Sequence, residues 1–474
     1  MIFMYTSYSS EQLDKIFSAP RSIYFIGIGG ISMSSLAHIA HDSGLKVGGY
    51  DRTPSELTSA LESQGVDINY TLDPSHIDGW DVIVYTAAVK PDNPELAKAL
   101  EYDRKGKKFC VYRADFLGWL MSGSKNRIGV AGMHGKSTTT AMLAHIFLAA
   151  ERDPTIVLGA EMTEIGGAYR TGNGNDFIME ACEYQDSFLS FKPNIAVILN
   201  IDLDHTDYFS GIDQIIDSFA KYASIANDGY AVYNADSPNV AAALKDYKGR
   251  RVTFALESDA DFKADIIGYE NGRAEFDIKK NGVKFAHVSL SVTGKHNVMN
   301  SLAAAAAADI CGVPAEAIER GLASYSGAKR RMEYRGAFKT DSGDYVPLYD
   351  DYAHHPTEIR ATLSGAREMG KRIWVVFQPH TYSRTASLYS DFAGAFEGVN
   401  VVLAPIYAAR ETNEYGVSSE KLALDAGGMY LSSFEKIAAY LKKSLRDGDM
   451  LIVMGAGDII KLDGLLLDKA EKRA

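Results

Sequence analysis

The sequence predicts an α/β protein of three domains, each built on a mostly parallel sheet with helices on its faces. Its 474 residues, at roughly 150 per domain, make room for about three. Hydrophobic residues make up 46% and charged residues 23%, the balance of a folded globular chain and not of a disordered one. Three blocks, each opening with an apolar strand and a turn, divide the chain at 1–122, 123–326 and 327–474.

In the first block, SIYFIGIGG (22–30) is a β-rich run ending in glycines, followed by the helical pattern ISMSSLAHIAHDSG. KVGGYD and DVIVYTAAV (81–89) supply further strands, and strands alternating with a helix imply βαβ units and a parallel sheet. MSGSKNR (121–127) reads as a linker. The second block starts IGVAGMHGKSTTTAMLAHIFLAA (128–150), again strand, glycine loop, helix, with strands at DFIMEA (176–181) and IAVILNID (195–202). After a long α and β mixture it ends in the alanine-rich helix of GKHNVMNSLAAAAAADICG (294–312), closed by Gly312 and Pro314. The third block follows SGAKRRMEYRG (326–336) and has strands at PLYDDYA (347–353), RIWVVFQ (372–378), NVVLAPI (400–406) and DMLIVMGAG (449–457).

Composition excludes several classes. No apolar run approaches the ~18 residues of a membrane span, so no membrane insertion is expected, and MIFMYTSYSS makes a poor signal peptide. Cys110, Cys182 and Cys311 lie far apart, with neither metal-type pairing nor a disulfide framework, and fit a reducing cytoplasm. A net charge of −12 argues against a nucleic-acid partner.

The motifs point to phosphates. GIGGIS (27–32) is a partial G-x-G-x-x-G fingerprint with Ser32 in the last glycine's place. Gly27, Gly29 and Gly30 allow a diphosphate to approach a helix N-terminus, and Asp51 stands about where a ribose ligand is expected; a merely tight turn is the alternative. GMHGKSTTT (132–140) is a shortened P-loop between a strand and a helix. Its backbone cradles phosphates, Lys136 reaches β/γ oxygens and the Ser137 hydroxyl holds Mg²⁺. In EACEYQDSF (180–188), Glu180 ends a strand, where a carboxylate takes a metal or simply faces solvent. In DLDHTDY (202–208), His205 among Asp202, Asp204 and Asp207 is a candidate metal or phosphate site. In GKHNVMN, His296, Asn297 and Asn300 either cap a helix or meet a nucleotide base. DDYAHHP (350–356) and FQPHTYSRT (377–385) form a polar set at strand ends. His134, His205, His296, His354, His355 and His380, six of the eleven histidines, fall in these motifs.

This order of motifs resembles the Mur ligase family over about residues 20–460. The resemblance implies a cytoplasmic, three-domain, ATP- and Mg²⁺-dependent ligase of peptidoglycan synthesis. Its Rossmann-like first domain would hold the UDP sugar, a P-loop domain ATP, and a Rossmann-like third domain the amino acid. The DDYAHHP and FQPHTYSRT segments resemble members that join L-alanine to UDP-N-acetylmuramate through an acyl phosphate. By that resemblance Gly132, Gly135, Lys136, Ser137 and Thr138 bind ATP, and Ser137, Glu180 and His205 the metal. His296, Asn297, Asn300, Arg331 and Asp351 complete the nucleotide site, and Tyr352, His354 and Arg384 receive the amino acid. Lys136, Glu180, His205 and His354 are the expected catalytic set. Gly27, Gly29, Gly30 and Asp51 would hold UDP and not a nicotinamide cofactor. The chain departs from the pattern at Ser32 and Ser35, where glycine is frequent, and at Thr381, where some members carry a second arginine. The rivals are a ligase that adds a recycled peptide to the same UDP sugar, and a binding protein whose P-loop only switches conformation.

Overall fold

The computed structural model describes residues 8–19, 21–205, 208–270, 272–409 and 411–467. Asp207 lies outside them. The described strands form three sheets.

The first is all parallel, in the order Asp67–Asn69, Lys46–Tyr50, Ser22–Ile26, Val82–Tyr85, Phe109–Tyr112. Its central strands are near-continuous apolar runs because helices cover both faces. The glycine turn leaves the C-terminal end of the central strand Ser22–Ile26, where the strand order reverses and open sheets bind ligands. A short helix, Ser10–Phe17, has no counterpart in the sequence reading, although Ser9 and Gln12 form a capping box there. It packs on helix Arg113–Ser122, with Phe17 stacked on Trp119 at 4.2 Å.

The central sheet has ten described strands. Asn126–Ala131 lies between Asp176–Glu180 and Ile195–Ile198, all parallel, with the P-loop at its C-terminal end. Beyond Arg250–Ala255 the sheet runs into an antiparallel meander, Phe262–Glu270, Arg273–Lys280 and Val283–Thr293. The alanine-rich helix Lys295–Ile310 buries Ala303–Ala308 completely, and it packs against the P-loop helix Lys136–Ala149. Small side chains allow that close approach.

The third sheet runs Glu333–Lys339, Tyr345–Asp351, Asp449–Met454, Arg372–Phe377, Asn400–Leu403, Met429–Tyr430, parallel except for its first pair. The expected strands are present; those at 372–378, 400–406 and 449–457 are shorter, and the one at 347–353 is shifted to Tyr345–Asp351. Strand 347–353 ends at Asp351 and 449–457 at Met454, because the polar and glycine residues that follow turn out of the ladder. The linker at 121–127 is corrected to residues 123–125: Met121 and Ser122 end a helix, and Asn126 and Arg127 begin a strand.

One continuous apolar core runs from the first sheet into one face of the central sheet. The third block keeps separate cores of its own. It meets the central block largely through charged and polar groups.

Candidate active site

The P-loop turns sharply because Gly132 (φ 148) and Gly135 (φ 83) take backbone angles that side chains disfavour. A Cβ on Gly135 would also stand 2.6 Å from Asn300 Oδ1. The loop is clamped from outside by Asn200, which accepts from the His134 amide at 2.8 Å and donates to the His134 carbonyl at 2.9 Å.

Lys136 folds back over the loop, donating to the Gly132 carbonyl at 2.6 Å and to Glu183 at 3.0–3.2 Å. Burial opposes its charge, but Glu183, foremost among the groups facing it, more than offsets that and raises the ammonium's pKa. Ser137 Oγ donates to Glu180 at 2.8 Å, and the Gly159 amide to the same carboxylate oxygen at 3.0 Å. His205, left-handed at φ 51, puts Nε2 3.1 Å from Glu183 Oε1.

Glu183 is the residue the sequence reading missed. It is almost fully buried, and burial raises its pKa less than Lys136 and His205 lower it. The structure thus separates the expected metal set into two pairs, Ser137 with Glu180 and His205 with Glu183. The signal was the second glutamate of EACE, three residues past the strand end.

A cavity of about 990 Å³ opens beside the loop, lined by His134, Gly135 and Thr138 on one side and His296, Asn297 and Asn300 on another. Arg331, Asp351 and Glu358 close it from the third block. Asn297 anchors itself on the Thr293 carbonyl at 2.8 Å and receives Asn300 at 3.2 Å. Burial, then Arg331, lowers the His296 pKa to about 4. Asp351 accepts amides from Met332 and Ala353, both at 2.8 Å. Burial raises its pKa to about 6, although Arg331 pulls the other way. Arg330 and Met332 both lie at positive φ, so the connecting segment is tightly turned.

Glu358, also missed, opens helix Pro356–Arg367. It accepts the His354 amide at 3.0 Å, stands 3.3 Å from His354 Nδ1 and 3.4 Å from His134 Nδ1, and faces Arg331 at 3.7 Å. His354 Nδ1 also faces the Tyr352 carbonyl at 3.0 Å. Burial outweighs the pull of Glu358 and lowers the His354 pKa to about 4. Tyr352 packs under Arg330 and Arg331. Arg384 projects from helix Tyr382–Ser387 to Asp204 at 3.0 Å and touches His380 Nδ1 at 3.2 Å.

The first block's glycine turn is separate from these groups. The Gly29 amide donates to Asp51 Oδ2 and the Arg52 amide to Asp51 Oδ1, both at 2.7 Å, so Asp51 braces the turn. Ser32, in the last fingerprint position, accepts from Arg113 at 2.8 Å.

Three family models cover the chain in order: "Mur ligase family, catalytic domain" at 22–125, "Mur ligase middle domain" at 130–308, and "Mur ligase, glutamate ligase domain" at 330–457. The chain belongs to the Mur ligase family. It is similar to the UDP-N-acetylmuramate–L-alanine ligase of Clostridium acetobutylicum, 44% identical over 458 residues, which is 95% of this chain and 98% of that one. It also superposes on the solved UDP-N-acetylmuramate–alanine ligase of Thermotoga maritima (TM-score 0.75, 26% identity, 94% and 97% of the two chains). The murein peptide ligase of Psychrobacter arcticus shares the fold (TM-score 0.68, 24% identity, 94% and 100%). Membership of the Mur ligases implies ATP as a cofactor. Among the described residues of this Mur ligase, no helix is long and apolar enough to cross a membrane.

Proposed function

We propose that this Mur ligase joins L-alanine to UDP-N-acetylmuramate, with ATP converted to ADP and phosphate, in peptidoglycan synthesis. The observation that carries it is the single cavity in which the phosphate loop faces the DDYAHHP segment of the third block, Glu358 standing 3.4 Å from His134. The names of the relatives at 43–44% identity support the substrates. We assign residues 1–122 to the UDP sugar, 123–326 to ATP and 327–474 to the amino acid, a division supported by the limits of the family models. A cytoplasmic location accords with three free cysteines and a nucleotide substrate.

A carboxylate is a poor electrophile, so the lactate carboxylate first takes the γ-phosphoryl group of ATP, giving an acyl phosphate and ADP. Lys136 and the loop amides would face the phosphates. Mg²⁺ fits this donor set, the Ser137 hydroxyl with the Glu180 carboxylate and His205 with the Glu183 carboxylate, four side chains in two pairs. Among the described residues no three His, Cys, Asp or Glu groups form a ready-made metal cluster, and Mg²⁺ commonly relies on one or two carboxylates plus phosphates and water. Bound there, it would neutralise the charge gathering on the phosphates. The alanine amine then forms the C–N bond, the acyl C–O bond breaks and phosphate leaves. Both groups facing His354 Nδ1 are acceptors, so that nitrogen carries the hydrogen and Nε2 keeps a lone pair for the ammonium proton. Thr138, His296, Asn297, Asn300, Arg331 and Asp351 shape the nucleotide cavity, and Tyr352 and Arg384 the amino-acid side. Gly27, Gly29 and Gly30 would hold the UDP, with Asp51 acting through the turn it braces.

A coupled ADP assay across alanine, glycine, serine and the recycled tripeptide tests this reading. ADP formation that requires both UDP-N-acetylmuramate and L-alanine supports it. Preference for the tripeptide, or nucleotide turnover without any amine, overturns it.

A further inference from the structure

Asp204 and Arg384 belong to different blocks and are both mostly buried, with side-chain exposures of 7% and 12%. Arg384 Nε meets Asp204 Oδ1 at 3.0 Å, and Nη1 meets His380 Nδ1 at 3.2 Å. These two contacts fix the plane of the guanidinium and leave Nη2 and part of Nη1 for another acceptor. The short helix that carries Arg384 is itself tightly placed. Thr381, its N-cap, sits at φ 65, uncommon for a β-branched residue, and Glu411 accepts the Ser383 amide at 2.9 Å. On the other side, Asp204 Oδ1 also accepts the amide of His205 at 2.7 Å. One residue later, that histidine meets Glu183. His355 crosses the same boundary to the Leu203 carbonyl at 3.2 Å.

We propose that Asp204, a residue of the central block, is the positioning residue for the amino-acid-binding Arg384, so that the alanine carboxylate site is assembled from two blocks. This rests on the ligase reading above. Nε lies on the inner edge of the guanidinium, beside one Nη N–H, and the Nη1–Nη2 pair forms the outer edge. A carboxylate there turns the outer edge toward the substrate, where two parallel N–H groups can grip a second carboxylate. Because Asp204 adjoins His205, the amino-acid grip is tied by one peptide unit to the groups placed around the phosphates. The third block alone would hold Arg384 with its inner edge unpaired.

The test is steady-state kinetics on the full chain with Asp204→Asn, Asp204→Glu, Arg384→Ala and the double variant D204N/R384A, varying alanine, ATP and Mg²⁺ in turn. D204N should raise the alanine KM by about tenfold, the size of losing one charge-assisted contact. The ATP KM and the Mg²⁺ half-saturation should stay within about twofold, and the double variant should be no worse for alanine than R384A alone, because both changes act through one guanidinium. D204E keeps the charge but moves it by a methylene. It should give an intermediate alanine KM, and it carries the test by itself if D204N does not fold. An unchanged alanine KM, a shift confined to Mg²⁺ or ATP, or losses that add in the double variant would overturn the assignment. Absence of wild-type turnover with L-alanine would sink the ligase reading instead, a distinct result.

Discussion

The two glycine loops start from the same plan, an apolar strand, a glycine turn and a helix, yet they are braced in opposite ways. The first is held mainly by the strand beside it: the Gly27 and Ile28 amides share the Tyr50 carbonyl, Asp51 takes the Gly29 amide, and among the described residues only Arg113 reaches in from farther along the chain, to Ser32. No lysine follows it. The second is braced by residues distant in sequence, Asn200, Asn300 and Glu183, and carries its own cation in Lys136. A turn held mainly by its neighbouring strand suits a ligand held for binding alone. A loop tied to three other segments can report on, and respond to, what those segments hold.

The largest expected effect separates the loops by charge. Lys136→Ala should lower ligation by orders of magnitude, as loss of a positioned cation does at phosphoryl transfer. UDP-N-acetylmuramate binding, followed by calorimetry, should persist because its turn lies in another block. Ligation within about tenfold of wild type would remove the phosphate role from this loop.

A paired substitution sharpens the comparison at smaller scale. Gly135→Ala places a Cβ 2.6 Å from Asn300 Oδ1, at a left-handed φ of 83. Gly29→Ala places one 2.8 Å from Asp51 Oδ2 and 2.9 Å from Thr58 Cγ2, without an unfavourable φ. Strain at a left-handed position costs on the order of 1–3 kcal/mol, or roughly 5- to 150-fold in affinity. The first change should therefore raise the ATP KM and spare the UDP sugar, and the second should do the reverse and by less. If either change weakened both ligands equally, the loops would not be independent.

How much of this was legible in the sequence follows from what each residue depends on. Strands, glycine loops and the order of blocks are local, so composition and spacing reveal them. The antiparallel meander was read only as an α and β mixture, although Asn-Gly dipeptides at 271–272 and 281–282 are hairpin signals; Asn281 and Gly282 are both left-handed. Glu183 and Glu358 were not chosen, because their roles come from groups brought in from elsewhere in the chain. Glu183 matters through Lys136 and His205, and Glu358 through His134 and Arg331. An acidic residue after the second strand predicts a ribose partner by position; that Asp51 also accepts the Gly29 and Arg52 amides, both at 2.7 Å, is visible only in the fold.

The smallest expected effect is on pH dependence beside the second loop. His296 has a pKa lowered to about 4, by burial first and Arg331 second, whereas an unfolded histidine titrates near about 6.5. A group depressed on folding contributes stability above its unfolded pKa, and that contribution is lost as pH falls through the folded value. The window here is therefore about 6.5 down to about 4. Over it the folded protein must either accept an unfavourable proton next to Arg331 or open. His38, behind the first loop, is also lowered by burial, so a fall in melting temperature alone would not discriminate. The discriminating quantity is the difference between wild type and His296→Gln, which has no proton to take. Between pH 6.5 and 4 the variant should lose less melting temperature than wild type. Equal losses would mean that the acid response lies elsewhere, and the half-buried histidine beside the P-loop cavity would then carry none of the difference between the two loops.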